Sequence, residues 1–368
     1  MQIADFHKQA HVATIQSSLA SHRSVHQCEY EEGGHTMIRK ISLLSLTLAL
    51  GNVVAAQEYQ IPKTEWGVPD FQGVWKHATV MPLERPIELG EKRAYTEAEA
   101  IALESVVQQK FEDNNEPLEP NRPPPVVAES LPPIGNYDLF WRDDAKFIPT
   151  IDGEFRTSAI IDPTNGRMPE RTAQFDARMT QFSGGRPGRT SDGPEGRGLG
   201  ERCLVGFGNS AGPVMSPVIY NSHLQFTQSP GYVTITAEMV HDTRIVKIAD
   251  ERSAAAETHR KWMGDAIGRW EGDTLVVETK YFNNWHTLRG MPVNNMTITE
   301  TFRRESGNKL IYGFTVDDPT LFTSTFSGEY PLSRINEPIY EYACHEGNYG
   351  MIGILAGARK LEELDSED

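Results

Sequence analysis

Cysteine is scarce: the 368 residues hold three, at positions 28, 203 and 344. That excludes a cysteine-dense scaffold, and with no two cysteines close together it excludes short paired-cysteine zinc motifs. Basic residues are also a minority, 35 against 51 acidic, for a formal net charge of −16. A phosphate backbone would be repelled by such a chain, so no nucleic-acid partner is expected. Only one apolar run, Ile41 to Val54, has the length of a targeting segment. It falls short of the roughly 20 residues that span a bilayer, so no membrane anchor is expected. There is no P-loop and no dinucleotide-binding glycine fingerprint. Gly208-Asn209-Ser210-Ala211-Gly212 lacks the strand-to-helix setting of a nucleophile elbow. His345-Glu346 has no histidine four residues on, so neither a metal nor another cofactor is expected.

What is present is an ordinary globular composition, 38% hydrophobic and 23% charged, with a mean hydropathy of −0.46. It suits one large or two modest domains. Met37-Ile38-Arg39-Lys40, the apolar run after it and Val54-Ala55-Ala56 have the three parts of an export signal, predicted over 37–56. Residues 1–36, with five of the eleven histidines, have no place in such a signal; they are expected to be a mis-assigned start, with translation beginning at Met37. The mature chain would begin at Gln57 and be periplasmic or secreted, where Cys203 and Cys344 either form a disulfide or remain two small buried hydrophobes.

Residues 57–222 are predicted to be rich in helices and loops. Thr96-x-x-Glu99 is a capping box for a helix over 96–113, and a second short helix fits 169–182. Between them Glu116 to Gly135 holds seven prolines, which predicts an extended segment, and 183–200 reads as a Gly/Arg/Pro loop. From His223 onward the pattern alternates: 231–238, 274–279, 296–303, 310–316 and 338–343 read as strands, with turns at Trp270-Glu271-Gly272-Asp273 and Ser306-Gly307-Asn308. Strands this close, with no helices between them, predict a mainly β fold. The expected fold is an antiparallel meander over 223–368 that closes into a barrel or half-barrel around a ligand cavity, packed by a few N-terminal helices.

Two stretches carry candidate chemistry. Alternation along Val233, Ile235, Ala237 and Met239 carries His241 to the inner face, where it would transfer protons, with Asp242 and Arg244 following as a structural lock. Cys344-His345-Glu346-Gly347-Asn348-Tyr349 gathers a base, an acid and a phenol at a barrel mouth, making His345 and Glu346 further catalytic candidates. Arg244, His286, Trp270, Tyr342 and Tyr349 complete the set as binding residues for a small apolar or aromatic molecule.

The segments Glu238-Met-Val-His-Asp-Thr-Arg244, Trp270-Glu-Gly-Asp-Thr-Leu-Val-Val-Glu-Thr279 and Tyr340-Glu-Tyr-Ala-Cys-His-Glu-Gly-Asn-Tyr-Gly350 resemble a family of exported bacterial proteins of uncharacterised function. The resemblance runs from about Asp70 to Arg359 and implies export and a β-rich body, with no reaction to carry over. Gly73-Val74-Trp75 is similar to the opening of lipocalin-like barrels. Two functions follow as expectations: an exported lyase, isomerase or hydrolase using acid/base chemistry in a barrel cavity, or a non-catalytic carrier or sensor of a small lipophilic ligand.

Overall fold

The structure, a computed structural model, describes residues 59–114, 121, 145–184 and 191–367. The expected start and export signal, nearly all of the proline-rich segment and positions 185–190 of the Gly/Arg/Pro loop lie outside the described residues. In chain order the elements are β1 (Gly73–Lys76), β2 (Ala94–Tyr95), α1 (Glu97–Asn114), β3 (Thr150–Ile151), β4 (Glu154–Arg156), β5 (Ile160–Asp162) and α2 (Phe175–Gly184). Then follow β6 (His223–Ser229), β7 (Tyr232–Ala237), β8 (Thr243–Ile248), β9 (Asp265–Glu271), β10 (Thr274–Lys280), β11 (Thr287–Leu288) and β12 (Met291–Pro292). Last come β13 (Thr297–Ser306), β14 (Lys309–Asp317), β15 (Phe326–Ile335) and α3 (Tyr349–Glu367).

Alternation over 231–238, 274–279, 296–303 and 310–316 becomes β7, β10, β13 and β14. On β13 Ile298, Glu300, Phe302 and Arg304 are buried while their neighbours are half-buried, and Gly272, at φ +59°, supplies the left-handed turn between β9 and β10. Nine strands, β1, β6 to β10 and β13 to β15, close into a ring, because β1 pairs with both β6 and β15; Val74 lies opposite Gln225 on one side and Ile335 on the other. Closure leaves no free sheet edge in the ring. Two details differ from expectation. β8 and β9 run parallel, Lys247 opposite Ile267, because residues 249–264 carry the chain across instead of folding it back in a hairpin. The β-rich part also ends at Ile335: 338–343 is not a strand, and the longest helix among the described residues, α3, is C-terminal.

At α1 the capping box forms as read, with the Thr96 N–H donating to Glu99 Oε2 at 2.8 Å and the Glu99 N–H to Thr96 Oγ1 at 3.3 Å. Its apolar residues are only partly covered, and Ile101 and Val106 stay exposed.

The barrel interior is filled. Side chains from strands that are not neighbours meet across it: Phe226 of β6 against Phe302 of β13, ring centroids 5.5 Å apart, and Arg244 of β8 paired with Glu300 of β13. The stretch 209–216 enters as a plug. Ala211 and Met215 are fully buried, Arg244 Nη1 donates to the Ala211 carbonyl at 3.3 Å, and the Met215 N–H donates to Tyr312 Oη at 3.0 Å. The void beside the plug, lined by Val214, Phe314 and Tyr330 among others, is about 20 Å³, room for about one water. The cavity expected in the lumen is therefore packed core.

Cys203 and Cys344 are bridged, with Cα atoms 5.8 Å apart. A loop of this length, closed in the unfolded chain, stabilises the fold by about 4–5 kcal/mol in the chain-entropy account. Thiol titration of unfolded, unreduced protein starting at Gln57 is expected to find none free, and reduction should lower the urea midpoint; two reactive thiols would overturn the pairing.

Candidate functional site

β6 and β7 form a hairpin in which Ser229 lies opposite Tyr232 and Leu224 opposite Ala237. One step further out the register brings His223 opposite Glu238, whose N–H donates to the His223 carbonyl at 2.9 Å. Their side chains meet as well. His223 Nδ1 is 2.9 Å from Glu238 Oε2, Asn221 Nδ2 donates to Glu238 Oε1 at 2.6 Å, and the Tyr340 N–H donates to Oε2 at 3.2 Å. Both residues are buried, Glu238 to 3% exposure and His223 to 8%. Burial by itself raises the pKa of the Glu238 carboxyl, but the hydrogen bonds from His223, Asn221 and Tyr340 outweigh it and hold the group below the usual carboxylate range. An ionised Glu238 accepts at Nδ1, so this network assigns the proton of a neutral His223 to Nδ1 and its lone pair to Nε2. That is the tautomer a base needs.

This pair stands in the wall of an open cleft of about 1040 Å³ at the barrel end where β6 begins and β7 finishes. Phe207, Tyr340, Tyr342 and Ala343 supply its apolar lining. The bridge between Cys203 and Cys344 is part of the wall, tying the 200–207 loop to the segment after β15. Asn348 Nδ2 adds a second tie by donating to the Glu201 carbonyl at 2.7 Å. The cleft thus offers an aromatic surface, a hydrogen-bonded imidazole–carboxylate pair and volume for a ligand of metabolite size.

Of the predicted residues, only Tyr342 belongs to this lining. It is half-buried and hydrogen-bonded to Tyr220, and burial pushes its phenol pKa up. His241 is exposed: β7 stops at Ala237, and Val240 and His241 take φ of 60° and 47° in a tight loop that the Ala237 N–H closes on the Asp242 carbonyl at 2.8 Å. The turn breaks the alternation that was to carry His241 inward. Asp242 does not lock Arg244 either. Its Oδ2 accepts the Gly206 N–H at 2.6 Å, and burial pushes its carboxyl up to about 6, while Arg244 pairs with Glu300 inside the barrel. Arg244 is therefore a core residue.

His345, Glu346 and Tyr349 are exposed, Tyr349 to 80% at the start of α3, although Cys344, Gly347 and Asn348 between them do line the cleft. Trp270 packs against Phe71, ring centroids 5.4 Å apart, beside the turn end of the β6–β7 hairpin and away from His223. His286 is buried against Phe282, with Nε2 3.4 Å from Asn209 Nδ2, and it does not line the cleft. Ser210 is buried in the plug with no hydrogen-bond partner for its hydroxyl among the described residues.

Sequence reasoning passed over His223 and Glu238 although a signal was there. Counting equal steps outward from a turn centred on Pro230-Gly231 makes them opposite neighbours. The fold and the cleft define the class: a closed β-barrel protein, disulfide-tied, with an acid/base-capable cleft at one end. Comparison of the sequence with protein-family models and with curated proteins finds no match, so the cleft itself is what speaks to function.

Proposed function

We propose that this protein is an exported enzyme that moves a proton on a small, partly aromatic substrate held in the cleft, with His223 as the base and Glu238 as the group that orients and supports it. The hydrogen bond from His223 Nδ1 to buried Glu238, in the wall of a cleft of about 1040 Å³, carries the reading. A neutral imidazole takes a proton at Nε2, and the imidazolium that forms is stabilised by the adjacent carboxylate; the same ring then returns the proton to a leaving group or to a second carbon. Hydrolysis, elimination and isomerisation all use this step. Export is supported by the signal-like pattern over 37–56 and by the bridge between Cys203 and Cys344, a pairing favoured in oxidising compartments. No helix among the described residues is long and apolar enough to cross a membrane.

The test is turnover. Screened against small aromatic esters, lactones and enolisable ketones, with product followed by NMR in D₂O, the wild-type protein is expected to convert at least one compound. His223→Gln should lower that rate by roughly 10²–10⁴-fold, the usual worth of general acid–base catalysis. Melting temperature and affinity for the same compound should change little. Undiminished turnover in His223→Gln would remove the proton-transfer role. Ligand binding with no turnover of any compound would favour the carrier reading, which the lining of Phe207, Tyr340 and Tyr342 supports on its own.

A further inference from the structure

The charge of the cleft points to a class of ligand. Four of its described lining residues are glutamates, at 201, 238, 337 and 341, and among the described residues no lysine or arginine lines it. Two of the four are already engaged. Glu201 is paired with Arg197 at 2.5 Å and accepts the Gly198 N–H at 2.8 Å, and Glu238 is held by His223 and Asn221. Glu337 and Glu341 make no ion pair or side-chain hydrogen bond with the described residues, and they flank Tyr340 in the chain. Two unneutralised carboxylates therefore sit beside aromatic rings in one concave wall.

We infer that the cleft selects organic cations: a ligand whose apolar or aromatic body lies on Phe207, Tyr340 and Tyr342 and whose ammonium or similar group is drawn to Glu337 and Glu341. The aromatic faces favour a cation through their quadrupoles, and carboxylates in a cleft focus negative potential that a net charge of −16 reinforces. A carboxylate or phosphate ligand would be repelled by Glu337 and Glu341. A bare metal ion is the poorer fit, because among the described residues no three His, Cys, Asp or Glu side chains converge closely enough to hold one. This selectivity rests on the cleft being the ligand site and adds to that reading the charge of what enters.

The experiment compares three probes of one shape, 2-phenylethylammonium, 2-phenylethanol and 3-phenylpropionate, titrated calorimetrically into the full chain. At low ionic strength the ammonium should bind about tenfold more tightly than the alcohol, and the carboxylate should bind most weakly. Raising salt should close the gap, since Glu337 and Glu341 are exposed and screened. In Glu337→Gln/Glu341→Gln the ammonium should fall to the affinity of the alcohol while the alcohol is unchanged; both positions are at the surface, so the fold should tolerate the change. Tyr342→Ala should weaken all three probes. An alcohol that binds as well as the ammonium, or a preference that survives the double glutamine change, overturns the charge selectivity and leaves the proton-transfer reading standing. Failure of all three probes to bind, or binding indifferent to Tyr342→Ala, overturns the cleft as the ligand site and both readings with it.

Discussion

Arg244→Met is expected to lower the unfolding free energy by about 3–5 kcal/mol, the usual cost of removing one partner from a buried ion pair. Glu300 is fully buried, and both of its oxygens are held by the Arg244 guanidinium, with the Tyr312 hydroxyl donating to Oε1 at 2.9 Å. Without Arg244 a carboxylate would remain in the middle of the barrel with one hydroxyl donor. The loss would spread to the plug, because Tyr312 also accepts the Met215 N–H and Arg244 holds the Ala211 carbonyl. Arg244→Met/Glu300→Leu should recover much of the loss, since it removes the second charge along with its desolvation penalty. Urea unfolding of the wild type, the single and the double variant decides the matter. A single-variant loss below about 1 kcal/mol would show that the pair does not organise the core.

Acid should weaken the fold early, well above the range in which ordinary carboxylates titrate. His77 lies against Tyr330 and Tyr312, ring centroids 5.2 and 6.2 Å away, with no hydrogen-bond partner for either nitrogen among the described residues, and burial lowers its pKa to about 3. Burial lowers His286 to about 4. Both folded values lie below the unfolded value of 6.5, so as pH falls the unfolded chain takes up these protons first. The stability that comes from keeping the rings neutral is complete above 6.5 and drains away as pH drops towards 4 for His286 and 3 for His77. Between pH 7 and pH 5 each histidine costs about 2 kcal/mol by linkage. Asp242 acts in the opposite direction, since a carboxyl pushed up to about 6 is protonated first in the folded chain. His77→Phe keeps a ring between the two tyrosines and removes the titration. It should lose about 2 kcal/mol less than wild type over the same interval, with Asp242 and His286 common to both. An identical loss in the two proteins would mean that His77 is not held neutral.

The candidate site is partly legible in the sequence. The chain itself points to Tyr342 and to the neighbourhood of Cys344, where a cluster of reactive groups stands beside a glycine. The misplacement of His241 has a local cause: alternation was extended through Met239 to a residue where the backbone had already turned, with positive φ at Val240 and His241. The reverse error hid Glu238, which was read as the last residue of a strand and not as the partner of His223 across the hairpin. α3 escaped notice because Gly350, Gly353 and Gly357 dilute its helical signal.

Period-two alternation by itself determined that β7, β10, β13 and β14 are strands, and glycine-bearing turns determined where two of the hairpins reverse. These are short-range effects: backbone sterics and the burial of every second side chain act over a few residues and leave their mark in the local order of types. The closing of β15 onto β1, the parallel step from β8 to β9, the plug that turned the expected lumen into core and the meeting of Cys203 with Cys344 were decided only by the tertiary structure. Each joins residues far apart in the chain or reroutes a long connection. Which distant partner a strand edge, a buried charge or a thiol finds depends on what else is excluded from water around it, and that is a property of the packed molecule and not of any segment.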